Sequence, residues 1–115
     1  MADEQPKITR RERGKRISVP ILGFSMVEFT GHALDQMKIR GITEDEVIDT
    51  IRNPTETGLP TQPNRHRVRR NKNARIAIDV VYEKEEDDRT LLIVTAIEVQ
   101  RRLERHRRLA ERRKK

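Results

Sequence analysis

Residues 29–54, FTGHALDQMKIRGITEDEVIDTIRNP, decide the fold, because they hold two helices that each carry their own start and stop signals. Thr30 suits an N-cap and Gly41 suits the left-handed residue that ends a helix. Between them Ala33, Leu34 and Met37 form one apolar stripe, with His32, Gln36 and Arg40 one helical turn apart beside it. The next helix opens on a capping box, Thr43-Glu44-Asp45-Glu46, in which a hydroxyl and a carboxylate satisfy free backbone donors. Val47, Ile48 and Ile51 make its apolar face. Asn53-Pro54 stops it, since proline disfavours helix in the residue before it.

Working outward, residues 55–64, TETGLPTQPN, read as a loop. Three strands are then expected. His66 to Arg70 is short and basic. Arg75 to Tyr82 alternates, with Ile76, Ile78, Val80 and Tyr82 on one face and Arg75, Ala77, Asp79 and Val81 on the other. Thr90 to Ile97 is apolar on both faces, as a central strand would be. Asn71-Lys72-Asn73 reads as a turn and the acidic run Glu83 to Asp88 as a solvated hairpin loop. On the other side, Val27-Glu28-Phe29 suits a short edge strand. The order predicts an α+β fold: two N-terminal helices packed on a three- to four-stranded antiparallel sheet, plus a basic C-terminal helix. The expected divisions are a basic flexible tail over 1–20, an α+β domain over 21–97, and an arginine-rich C-terminal helix over 98–115. In that last segment Val99, Leu103, His106 and Leu109/Ala110 keep helical spacing.

Charge is the strongest statement about partners. The chain of 115 residues has a net charge of +7 and is 39% charged against 33% hydrophobic, a thin apolar supply for a core. Residues 1–20 carry a net +3, residues 98–115 a net +6, and residues 21–97 a net −2. Such a balance suits a polyanion, and phosphate backbones are the commonest one, since each neutralised phosphate releases counterions. RNA or the ribosome is the expected partner. A membrane surface is disfavoured, because the basic C-terminal segment has no Trp or Phe to insert. Phe24, Phe29 and Tyr82 are the only aromatics, too few for a base-stacking platform. With no cysteine and three scattered histidines, neither disulfides nor a metal site is expected, and nothing points to a cofactor. No apolar run reaches the ~20 residues of a membrane span, and the N-terminus lacks a signal peptide's apolar stretch, so a cytoplasmic protein is expected.

The same residues resemble a family of small bacterial domains, domain of unknown function 4258. The resemblance rests on His32-Ala33, Arg40-Gly41-Ile42, the capped acidic helix Thr43 to Pro54, the basic strand His66 to Arg69, and the apolar strand Leu91 to Thr95. It covers about residues 27–97. It implies the RelE/barnase-like ribonuclease toxin fold, with two helices before a curved antiparallel sheet, and metal-independent RNA cleavage. Gln36 stands where members often have a basic residue; glutamine hydrogen-bonds a phosphate without neutralising it.

Cleavage of that kind uses the ribose 2′-OH as nucleophile and needs proton carriers and cations for the phosphorane. His32, Arg67 and Thr95 are the candidate catalytic residues: an imidazole that titrates near neutrality, a planar guanidinium, and a hydroxyl donor. Arg40, Gln36, Arg65, Arg69, Arg70, Lys72, Arg75, Arg101, Arg102 and Arg105 are candidate phosphate or RNA contacts. Arg67 and Arg69 lie two apart on a strand and so share a face. The run RHRVRRNKNAR, residues 65–75, holds six Lys/Arg and no acid. Plainer readings stand beside these: His32 as a solvated helical histidine, Arg40 as a charge favourable at a helix C-terminus, Thr95 as a β-branched strand residue. Three functions therefore compete: an endoribonuclease toxin held by an acidic antitoxin-like protein, a non-catalytic RNA- or ribosome-binding protein, and a protein-interaction module for an acidic partner.

Overall fold

The computed structural model describes residues 13–101. Seven elements follow one another: β1 (Arg13–Ile17), β2 (Met26–Thr30), α1 (Gly31–Arg40), α2 (Glu44–Arg52), β3 (His66–Asn71), β4 (Ile76–Glu85) and β5 (Thr90–Gln100). The strands form one five-stranded sheet in the order β1-β2-β5-β4-β3. Only β2 and β5 run parallel; the other neighbours are antiparallel.

This corrects the expected architecture. The two helices do not precede the sheet, and the sheet is neither three- to four-stranded nor wholly antiparallel: two strands come first, and the five-stranded sheet is mixed. The added strand, RGKRI, has one apolar residue and gains its strand character from pairing with β2, which propensity does not reveal. Val27-Glu28-Phe29 consequently lies inside the sheet, not at its edge. The parallel pair arises because the β3-β4-β5 meander delivers β5 between β4 and β2. Residues 102–115, with most of the expected basic C-terminal helix, lie outside the described residues, as do residues 1–12.

The helices form as their local chemistry dictates. The Thr30 hydroxyl accepts from the Ala33 amide at 2.9 Å, and Gly41 closes α1 at φ 69°. Ala33 and Met37 are buried one turn apart. In α2 the capping box is complete: Thr43 Oγ1 accepts from the Glu46 amide at 3.1 Å, and Glu46 Oε1 accepts from the Thr43 amide at 2.9 Å. Val47, Ile48, Thr50 and Ile51 face inward. The hydrogen bond donated by the Thr43 backbone amide holds the Glu46 carboxyl below its ordinary value of 4.5, against a smaller opposing effect of burial. A group depressed on folding stabilises above its unfolded value and loses that contribution as pH falls through its folded value. Glu46→Ala, which removes that carboxylate, should therefore cost about 1 kcal/mol near neutral pH. The penalty should shrink below about pH 4.5, as Glu46 protonates in the native protein, and urea unfolding at the two pH values checks it.

Both helices cover one face of the sheet. There Phe29, Val27, Val68, Ile78, Val80, Tyr82, Leu91, Ile93 and Ala96 join Ala33, Met37, Val47, Ile48 and Ile51 in one core. A register shift between Val81 and Tyr82 leaves a bulge in β5 around Val94, and Thr30 Oγ1 donates to the Val94 carbonyl at 2.9 Å. One hydroxyl thus caps α1 and ties it to the central strand. No helix among the described residues is long and apolar enough to cross a membrane.

Candidate functional site

Alternation along β3 and β4 sends every second side chain to the face that the helices leave free. Val68 and Val80 point to the core. Arg67 and Arg69 on β3, and Asp79 and Val81 on β4, therefore share the other face, with Arg69 opposite Asp79 and Arg67 opposite Val81. Val81 in turn pairs with Thr95, so Arg67, Val81 and Thr95 form one cross-strand row. At about 4.8 Å per strand, Arg67 and Thr95 are about 10 Å apart at their backbones.

The centre of this face is a buried carboxylate clamped by two arginines. Asp79 is only 1% exposed, whereas Arg67 and Arg69 keep 32% and 23% of their side-chain surface. Arg67 donates from Nε and Nη2 to Asp79 Oδ2 at 2.9 and 2.6 Å. Arg69 spans both oxygens, Nε to Oδ1 at 2.6 Å and Nη2 to Oδ2 at 2.9 Å. Charge-assisted bonds of this kind are the strong ones, and a buried carboxylate requires them. The hydrogen bond to Asp79 raises the Arg69 guanidinium above its ordinary value, opposed by burial and assisted by the charges of Asp79 and Glu56. Asp79 thus orients two guanidiniums, and the charge of Glu56 lies close enough to Arg69 to act on it as well.

Arg65 extends the row. Its Nε donates to Glu83 Oε2 at 2.8 Å, Glu83 lying on the same face of β4 two pairs beyond Val81 and Asp79 in alternation. The outer edge of β3 is covered by the loop after α2: the Thr55 and Glu56 amides donate to the Arg69 carbonyl and the Leu59 amide to that of Arg67. Across the sheet from Arg65, His66 stacks on Tyr82 with ring centroids 5.1 Å apart. Burial pushes the Tyr82 phenol up.

The remaining candidates occupy other places. His32 is exposed in the first turn of α1, in the layer on the far side of the sheet, with Gln36 and Arg40 along the same helix. Arg70 points to the helix side, where Nη1 donates to the Asn53 carbonyl at 2.8 Å. Lys72 reaches Glu46 of α2 at 3.2 Å and Glu98 at 4.0 Å. Arg75 and Arg101 meet at the turn of the β3–β4 hairpin, through the Arg101 amide on the Arg75 carbonyl at 2.8 Å and Arg101 Nη1 on the Asn73 carbonyl at 2.7 Å. Arg102 and Arg105 lie outside the described residues. The fold thus gathers Arg65, Arg67, Arg69 and Thr95 on one face and places His32, Gln36 and Arg40 on the helix layer.

Asp79 and Glu83 were not among the sequence candidates, although they orient the row. The signal was present: folding the hairpin about residues 72–76 sets Asp79 opposite Arg69. An acid in the middle of an otherwise apolar strand needs a cation. Among the described residues no group of three His, Asp or Glu side chains is placed to hold a metal ion.

The family model described as Domain of unknown function (DUF4258) matches residues 29–98. The chain belongs to that family. The match begins in β2 and ends in β5, so it takes in both helices and the whole arginine row but leaves β1 outside. No curated protein and no solved structure matches the chain.

Proposed function

We propose that this member of the family binds RNA, and that the arginine row on β3 contacts its phosphates. One observation carries the reading: Arg67 and Arg69 share the buried carboxylate of Asp79, which fixes two guanidiniums against one carboxylate. Guanidiniums held in this way lose little freedom when a phosphate arrives, which is the advantage of preorganisation. The basic ends of the chain add sequence-independent attraction.

The test uses the full chain and a labelled RNA pool in fluorescence anisotropy. The informative variant is the triple Arg67→Gln, Arg69→Gln, Asp79→Asn, which removes the clamp's net charge while keeping hydrogen-bonding groups and leaving no bare buried carboxylate. Affinity should fall roughly tenfold, or about 1.4 kcal/mol. Unchanged affinity in a folded triple variant would defeat the assignment.

A second reading, a metal-independent endoribonuclease of the RelE/barnase-like toxin kind, rests on the family resemblance and on the exposed His32 alone, because His32 lies on the helix layer and Arg67 and Thr95 on the opposite face of the sheet. It expects RNA fragments ending in cyclic phosphate, formed without metal and lost in His32→Ala. Intact RNA and ribosomes after incubation with the native protein would end that reading and leave binding untouched.

A further inference from the structure

The two clamp arginines are bonded alike on one side and differently on the other. Each meets Asp79 through Nε and Nη2, which turns its Nη1 away from β4, toward the loop that follows α2. Beside Arg67 that loop presents Leu59 and Pro60: the Leu59 amide donates to the Arg67 carbonyl at 3.3 Å, and Arg67 Nη1 reaches the Pro60 carbonyl at 3.5 Å. Beside Arg69 it presents a carboxylate. Glu56 forms an antiparallel bridge with Arg69, its amide donating to the Arg69 carbonyl at 3.0 Å and its carbonyl accepting from the Arg69 amide at 2.9 Å. A pair that exchanges both bonds stands about 5.5 Å apart at Cα, with both side chains on one face. The Glu56 backbone is therefore fixed next to Arg69, and its side chain is exposed. Among the described residues it makes no ion pair with Arg69, yet its charge acts on that guanidinium.

We infer that Glu56 withholds Arg69 from RNA phosphate and leaves Arg67 as the clamp arginine that takes one. The inference rests on the RNA-binding reading and gives the two arginines different work. Across the sheet the Arg69 row runs Glu56, Arg69, Asp79, two carboxylates about one guanidinium. The Arg67 row runs Arg67, Val81, Thr95, which holds no carboxylate. A phosphate on Arg69 Nη1 would come up against the Glu56 charge and be repelled. One on Arg67 Nη1 meets a carbonyl without net charge and displaces a bond that is already long. Exposure runs the same way, with 32% of the side-chain surface open at Arg67 and 23% at Arg69. Arg69 also spans both oxygens of Asp79, whereas Arg67 bonds Oδ2 alone. Arg69 thus holds the carboxylate that orients Arg67, and Glu56 keeps Arg69 at that task.

The experiment uses the full chain and the labelled RNA pool, titrated between about 50 and 200 mM salt. Glu56→Gln is the leading variant, because Glu56 is exposed and its backbone bonds survive the change. It should tighten binding roughly threefold, the size of one exposed charge contact. It should also steepen the slope of log K against log salt by about 0.7–0.9, one further phosphate. Asp87→Asn makes the same change of net charge about 20 Å or more from Asp79 along β4, beyond a Debye length, and should do neither. Adding Arg69→Gln to Glu56→Gln should abolish the gain, because Arg69 supplies it. Arg67→Gln alone should flatten the native slope by about 0.7–0.9, and Arg69→Gln alone by much less. A Glu56→Gln protein that binds no more tightly than Asp87→Asn, a gain that persists without Arg69, or an Arg69→Gln slope as flat as that of Arg67→Gln overturns the inference while RNA binding stands. Failure of the native protein to bind the pool overturns both.

Discussion

Replacing Arg67 and Arg69 together by alanine should destabilise the protein by about 3–5 kcal/mol, the cost of leaving a buried charge without its partner. Asp79 is 1% exposed and receives four hydrogen bonds from the two guanidiniums, so the double variant strands a carboxylate beneath the sheet surface. Arg67→Ala alone should cost much less, since Arg69 still spans both oxygens. Adding Asp79→Leu to the double variant should restore most of the loss, because an apolar residue of similar volume tolerates the site that a bare carboxylate does not. Urea unfolding of the three variants gives the answer. A double variant as stable as the native protein would show that the clamp contributes nothing to the fold and that Asp79 finds water unaided.

The second large effect lies at Phe29. It is fully buried on β2, opposite Ile93 of the parallel neighbour, and sits between the sheet and the helix layer. Phe29→Ala removes the largest fully buried side chain and should cost about 3–5 kcal/mol through lost transfer energy and the cavity left behind. For a domain of this size each kcal/mol lowers Tm by roughly 4–8 °C, so thermal unfolding resolves it easily. Ile39→Ala, at a side chain 73% exposed, should stay within about 0.5 kcal/mol and serves as the control. A Phe29→Ala loss below about 1 kcal/mol would mean that the helices settle into the space.

The two helices were legible because caps are local chemistry: Thr30, Gly41, the Thr43–Glu46 box and Asn53-Pro54 act within one turn of themselves. The β3–β4–β5 meander was legible from alternation and turn residues for the same reason. The sheet order was not. Whether β2 runs beside β5 in parallel depends on contacts more than sixty residues apart, and no pattern inside either strand records it. Nor does Arg13–Ile17 announce a strand, with one apolar residue among basic ones. The arginines of β3 were readable as a same-face row, but Asp79 was read only as one member of the outward face of β4. Its role needs the register of two strands at once, and the alternation of one strand does not supply it.

The position of β5 has a consequence for synthesis. It is the fifth strand made and the third across the sheet, joined to β4 on one side and β2 on the other. Until Thr90 and the residues after it have left the ribosome, β1–β2 and β3–β4 are two separate ribbons with no hydrogen bonds between them. The edges that β5 will later cover, on β2 and on β4, stay open throughout that interval, and open edges recruit foreign strands. The protein therefore closes its sheet late and at its middle, so the time before β5 arrives is when the nascent chain is most exposed to misassembly.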